Sequence, residues 1–186
     1  LYFNDKKFGI NVEKPKGTFY LKVNHGDGTV AVTGFAAKDF PMGTKTTGII
    51  LMNNEDVILT AEEQMIRSTS IPEKPFEYNY EYVNGNIFVH KLNSKGELQW
   101  QHIAKREVKS FNDGAKSNSV FTGIVNGNIS LIYRDYYYKY DGKQHTVIGP
   151  GLLSKFINVH RTIGMDGNMI TDTFIKRLGD DETKEA

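Results

Sequence analysis

The stretch Asn86–Trp100, NIFVHKLNSKGELQW, decides how the chain is read. Ile87, Phe88, Val89 and Leu92 form an apolar, β-prone run. Leu98, Trp100 and Ile103 form a second run, alternating with Glu97, Gln99 and Gln101 at the period of two that puts every other side chain on one sheet face. Between the runs lies Asn93-Ser94-Lys95-Gly96. An asparagine there can accept bonds from its own downstream backbone, and a glycine can take the positive φ that closes a short loop. The stretch therefore predicts a β-hairpin.

The same grammar recurs on both sides. Gly17–Val23 and Thr29–Phe35 flank Asn24-His25-Gly26-Asp27-Gly28, and Ile49–Met52 and Val57–Ala61 flank Asn53–Asp56. Ser119–Val125 and Ile129–Tyr133 flank Asn126-Gly127-Asn128, where Asn-Gly is the strongest short hairpin signal. Met165–Asn168 separates two further short runs. Asp39–Gly48, with a proline and two glycines, reads as a loop that joins Ile49 abruptly, and Lys105–Lys116 reads as a polar connection. Asn84-Gly85-Asn86 reads as a turn into the central hairpin, and Asp141-Gly142 as another. Glu62–Ile71 has competing helical and extended readings, of which the extended is preferred, and Pro72 and Pro75 stop either one. Gly149-Pro150-Gly151 breaks the chain before Leu152–Thr162, a short helix or a strand.

Short β runs punctuated by Asn, Asp and Gly, with no amphipathic helix of ordinary length, predict an all-β fold. The expected form is an antiparallel meander of hairpins, propeller-like and incomplete, with a β-sandwich as the alternative. Loose self-similarity supports the first form: NHGDGTVAVTGF, NNEDVILTAEE, NGNIFVHKL, NGNISLIYRD and MDGNMITDTF each place a turn directly before a hydrophobic strand. One β domain, complete or partial, is expected over residues 1–178, followed by a charged flexible tail over 179–186.

Composition excludes several classes. Hydrophobic residues at 39% and charged residues at 24% argue against wholesale disorder. A formal net charge of +1 supplies no field for nucleic acid or an anionic membrane surface. The absence of cysteine removes disulfides and thiolate metal sites and leaves the compartment open. No apolar run approaches the roughly 20 residues of a membrane helix. The chain opens on Leu1 rather than methionine, which marks processed material or a piece of a longer protein. Leu1-Tyr2-Phe3 is similar to part of a protease-site tag, but Asn4 departs from it, and the residues read as native.

No catalytic motif emerges. Glu62 and Glu63 are adjacent, so on a strand they point to opposite faces and cannot flank one substrate bond; they read as exposed structural charges. His25, His90, His102, His145 and His160 lack the spacing that brings two imidazoles to one metal. His90 and His102, on the two strands of the central hairpin, are expected to face each other as core or interstrand residues. Asp166, Asn168 and Asp172 lack the ligand run of a calcium loop, and NHGDG lacks the lysine and helix of a phosphate loop. Ser110, Ser117, Ser119 and Ser154 have no nucleophile-elbow context. Lys105, Arg106 and Lys109 read as a solvated basic cluster, and Trp100 as a core anchor. No enzyme, cofactor or metal is expected.

Tyrosine gives the one functional signal. Tyr78, Tyr80 and Tyr82 alternate with Glu77, Asn79 and Glu81 and should share a sheet face. Tyr136, Tyr137, Tyr138 and Tyr140, with Tyr133 just before them, form a second concentration. Tyrosine joins a large apolar face to a polar tip, which suits protein or sugar surfaces. These residues are the candidate recognition surface.

Ile87, Val89, Lys91, Leu92, Asn93, Gly96, Leu98 and Trp100 fit a strand "I-hydrophobic-V-x-K-L" followed by "N/D-x-x-G-x-hydrophobic-x-W". In this the chain resembles uncharacterised bacterial secreted and cell-envelope proteins with propeller-like repeats, over about Phe19 to Tyr133. The blade-length strands such a protein would have between Phe35 and Ile49 are missing. The resemblance implies a non-enzymatic structural or protein-interaction module outside the cytoplasm, with other envelope subunits as partners. A carbohydrate-binding β-sandwich is the alternative, and neither nucleic acid nor a membrane span is expected in this chain.

Overall fold

The computed structural model describes residues 2–4, 15–23, 26–35, 43–115, 118, 120–140, 142–146 and 155–175. The described residues form twelve β-strands and no α-helix, and every strand pairing is antiparallel. No helix among them is long and apolar enough to cross a membrane. The chain divides into two compact units, residues 1–116 and 117–186. Residues 179–186 and Gly149-Pro150-Gly151 lie outside the described residues.

The first unit carries two sheets. β1 (Tyr2–Asn4), β2 (Pro15–Val23) and β3 (Val30–Phe35) form a three-stranded sheet. Asp27 accepts bonds from the Thr29 backbone N–H (2.9 Å) and hydroxyl (2.7 Å) in the turn between β2 and β3. The second sheet runs β4 (Thr44–Leu51), β5 (Val57–Ile71), β6 (Lys74–Leu92), β7 (Leu98–Ala104), with β8 (Val108–Phe111) also paired to β6. The second unit is one up-and-down sheet of β9 (Phe121–Val125), β10 (Asn128–Tyr136), β11 (Phe156–Ile163) and β12 (Met169–Ile175). Four consecutive antiparallel strands are the topology of a propeller blade and equally of one sandwich leaf. No closed propeller is present among the described residues.

The central hairpin forms as expected, because its turn chemistry is local. Gly96 sits at φ +80°, and Asn93 Oδ1 accepts from the backbone N–H of Lys95 (3.0 Å) and of Glu97 (2.9 Å). At Asn126-Gly127 both residues have positive φ, 50° and 74°, the conformation of a type I′ turn. Glu62–Ile71 is extended, as read. Leu152–Thr162 resolves into strand from Phe156 onward.

Three other expectations are corrected. Asn84-Gly85-Asn86 is no turn: β6 runs straight through it, and the pairing shifts there, Glu62 facing Ile87 and Gln64 facing Asn84. Glu63 is thereby set against Gly85 and Asn86 together, a β-bulge. Gly85 is required for closeness rather than turning, since a Cβ there would lie 2.1 Å from Glu63 Oε2 and 2.9 Å from its Cβ. The carboxylate so admitted accepts the Asn86 N–H at 2.7 Å. Residues 44–48 are strand rather than loop, as β-branched threonines suit an edge, and β4 passes without interruption through Gly48-Ile49. Val108–Phe111, read as connection, pairs with Glu81–Asn84, a partner too distant in sequence for local pattern to reveal.

Burial divides the long β5–β6 ladder in two. From Val57 to Glu62 and from Ile87 to His90 every side chain is buried, on both sheet faces. Each fully buried aliphatic here, such as Ile58, Ile87 and Val89, contributes about 1.5–3 kcal/mol. Beyond the bulge Val83 and Asn84 are still buried on β6, but residues 65–70 and 76–80 are exposed throughout. The ladder thus changes at Glu63 from a buried base to a projecting ribbon. That ribbon rests on backbone pairing and cross-strand side-chain pairs of about 0.2–1 kcal/mol each.

Candidate functional site

The base of the ribbon is fixed by a buried ion pair. Arg106 Nη2 lies 2.5 Å from Glu62 Oε2, with 0% and 4% of the two side chains exposed. Arg106 Nε also donates to the Gly85 carbonyl (3.3 Å), and its backbone N–H to Asn86 Oδ1 (3.4 Å). Glu62 and Arg106, read from sequence as solvated charges, are therefore interior residues that tie β5, the bulge of β6 and the segment after β7 together. The correction has a physical source: 44 positions separate the partners, and only the sheet register brings them into contact.

On the ribbon the first tyrosine group is assembled as its spacing predicts. Tyr78 and Tyr80 ring centroids are 6.4 Å apart and those of Tyr80 and Tyr82 6.5 Å, a row along one face of β6. Tyr78 is 48% and Tyr80 40% exposed. Their cross-strand partners are the small Ser70 and Ser68 and, opposite Tyr82, Ile66. Asn112 holds the other side of β6, its Oδ1 accepting the Tyr80 N–H (2.8 Å) and its own N–H donating to the Tyr80 carbonyl (2.9 Å). On the opposite face Arg67 (3.2 Å) and Lys109 (3.4 Å) share the Glu81 carboxylate.

Near the tip stands Phe76, which the sequence reading did not single out. Its ring is 93% exposed and its backbone sits at φ +75°. A bulky side chain in that region costs about 1–3 kcal/mol, and such strain concentrates at functional positions. Nothing in the local sequence announces it except Pro75 just before it.

The second tyrosine group belongs to the other unit and is largely structural. Tyr133 and Tyr136 are buried, with Tyr136 stacked on Phe156 (5.0 Å) and Tyr138 (5.7 Å). Tyr138 meets His145 edge-on at 5.9 Å. Tyr140 donates to the buried carboxylate of Asp135 (2.9 Å), which also accepts from Lys139 (2.6 Å). Burial, with the Asp135 charge next, pushes the Tyr140 hydroxyl far above its ordinary pKa and keeps it a donor. Tyr137 is 44% exposed in the single 3-10 turn after β10.

Among the described residues no group of three or more His, Asp or Glu side chains is placed to hold a metal ion. Val89 pairs with His102 and His90 with Gln101, so the two histidines point to opposite faces rather than toward each other. Trp100 is half-buried opposite Lys91 rather than a core anchor. Asp166 caps its own turn through the Asn168 N–H (3.0 Å), and Asp172 forms a two-pronged pair with Arg161 (2.6 and 2.5 Å). Ser130 Oγ and His160 Nε2 lie 2.7 Å apart, with Thr173 Oγ1 3.4 Å from the other ring nitrogen. Only 3% of Ser130 is exposed, and a hydroxyl stands where a base-orienting carboxylate would be needed, so this ladder ties β10, β11 and β12 together.

Comparisons with protein-family models, with curated proteins and with solved structures return no match.

Proposed function

We propose that the chain is a non-enzymatic protein-interaction module that engages its partner through the β5–β6 ribbon. One observation carries the reading: residues 65–70 and 76–80 are exposed on both faces, yet this ribbon bears Tyr78, Tyr80 and Phe76. Exposed aromatics on a preorganised strand supply contact area at low entropic cost, and interface hot spots are enriched in tyrosine. A ribbon that only had to fold would gain nothing from keeping these rings in water. The partners belonging to this reading are other subunits of a secreted or cell-envelope assembly; that location rests on the motif resemblance at Ile87–Trp100 alone.

Benzoylphenylalanine in place of Tyr80, activated by light in the native host, is expected to crosslink to another polypeptide. That product should fall at least about tenfold when Phe76→Ser and Tyr78→Ser are added, the loss of a typical hot spot of about 2 kcal/mol or more. Saturable binding on a glycan array, lost in Tyr137→Ala, would instead support the carbohydrate-binding alternative.

A further inference from the structure

Two asparagine–glycine dipeptides occur in the chain, Asn84-Gly85 and Asn126-Gly127, and the fold treats them in opposite ways. The dipeptide is chemically reactive because glycine has no side chain to shield its backbone nitrogen. That nitrogen reaches the carbonyl carbon of the preceding asparagine side chain wherever the backbone between them is free to rotate.

At the first dipeptide it is not free. Asn84 is 1% exposed and lies inside β6, opposite Gln64 on β5 and Val108 on β8. Gly85 is closed in by the Glu63 side chain, and its carbonyl accepts Arg106 Nε–H at 3.3 Å. Rotation there requires the β5–β6–β8 pairing to come apart, which is an unfolding event and not a local one.

At the second dipeptide both residues are exposed, and together they form the whole loop between the paired residues Val125 and Asn128. Beyond its two chain neighbours, nothing lies within 4 Å of the place a Cβ on Gly127 would take. The Asn128 side chain donates to the Asn126 carbonyl at 3.4 Å, a long and weak bond. Opening this loop disturbs the Val125–Asn128 pair beside it and leaves the buried Ile129, Leu131 and Val159 in place. Asn93, followed by the small Ser94, is tethered instead: its Oδ1 accepts from the Lys95 and Glu97 N–H groups and its Nδ2 donates to the Glu97 carboxylate at 2.7 Å.

We infer that Asn126-Gly127 is a site of spontaneous deamidation in the folded protein, and that the fold protects Asn84-Gly85 from the same reaction. The Gly127 backbone nitrogen attacks Asn126 Cγ. A new C–N bond forms, the bond from Cγ to the side-chain amide nitrogen breaks, and that nitrogen leaves as ammonia with the proton from Gly127. Water then opens the cyclic imide at either carbonyl, giving aspartate or isoaspartate without oxidant, reductant or enzyme. Each product puts a carboxylate in place of a neutral amide, which takes the formal net charge from +1 to zero. Isoaspartate also routes the main chain through its Cβ and so lengthens the loop by a methylene. Loop length fixes hairpin register, so this product loosens β9 from β10.

Incubation of the whole chain in mildly alkaline buffer, followed by peptide mass mapping, tests this. The peptide holding Asn126 is expected to gain the mass difference between an amino and a hydroxyl group at least about 100-fold faster than the peptide holding Asn84, because a loop end opens at little cost and Asn84 is reached only on unfolding. A protease that cleaves before aspartate should cut only part of the product, the uncut remainder being isoaspartate. In urea strong enough to unfold the chain, both peptides should change at similar rates. Asn126→Gly leaves a Gly-Gly loop that suits the same turn, so it should fold as the natural chain does and remove the modification. Arg106→Ala, by destabilising the first unit, should speed the change at Asn84 and leave that at Asn126 unaltered. Equal rates at the two sites in the folded chain, modification of Asn126 only in urea, or an Asn84 rate indifferent to Arg106→Ala would overturn the inference.

Discussion

Arg106→Ala is expected to destabilise the first unit by about 3–5 kcal/mol, measured as a fall in the urea midpoint with an unchanged slope. The magnitude follows from what is left behind. Glu62 sits at 3% exposure in the interior, and without the guanidinium its carboxylate has lost its counter-charge. The Gly85 carbonyl loses the Arg106 Nε–H at the same time, at the one place where the β6 backbone is bulged. Glu62→Ala should cost a similar amount, because it strands the cation instead. Replacing both residues by methionine should recover most of the loss, since a buried pair exchanged for well-packed apolar side chains is often close to neutral. A double mutant as unstable as either single variant would show that the pair is needed for more than mutual compensation.

The second large effect is a pH dependence carried by His90. Its ring is fully buried and stacked over Phe88 at a 6.5 Å centroid distance and 7° tilt. Burial lowers its pKa to about 4 from an ordinary 6.5, against a smaller opposing bond from the Gln101 side chain. Between those values the unfolded chain holds the proton and the folded chain does not. Stability therefore falls as pH drops from 6.5 to 4, and is constant on either side of that window so far as this group is concerned. At about 1.4 kcal/mol per pKa unit, the loss between pH 7 and pH 4.5 is about 2–3 kcal/mol. Asp27 and Asp166 have pKa values held below 3.8 chiefly by the Thr29 and Asn168 N–H groups, so what they contribute is lost only at more acidic pH. Urea titrations at the two pH values should show the drop in the natural chain and a flat response in His90→Gln. An equal drop in both would place the proton uptake elsewhere.

The sequence speaks clearly where the physics is local. Asn93 and Gly96 close a loop of their own neighbours, and Tyr78, Tyr80 and Tyr82 share a face by strand period alone; both were readable. Asn-Gly at 84–85 and at 126–127 is the same dipeptide with two outcomes, because a bulge opposite Glu63 is chosen by a strand over twenty residues away. Glu62 and Arg106 looked like surface charges for the same reason: nothing near either residue in the chain reports the other. The split of the tyrosines into an exposed row and a buried group around Asp135 likewise depends on which strands cover them. Phe76 was illegible because a backbone angle, not a residue type, distinguishes it.

Central to this account is one ladder with a buried base and an outer edge at 66–70 that no strand among the described residues pairs, and amide hydrogen exchange reads it directly. Amides at 57–62 and 87–92 should exchange only with unfolding of the unit, and those at 66, 68 and 70 about 100-fold faster or more, with the inward-facing amides of Arg67 and Thr69 slower than their neighbours. Uniform protection from Val57 to Ile71 would mean that the outer edge is already paired, and would contradict the account.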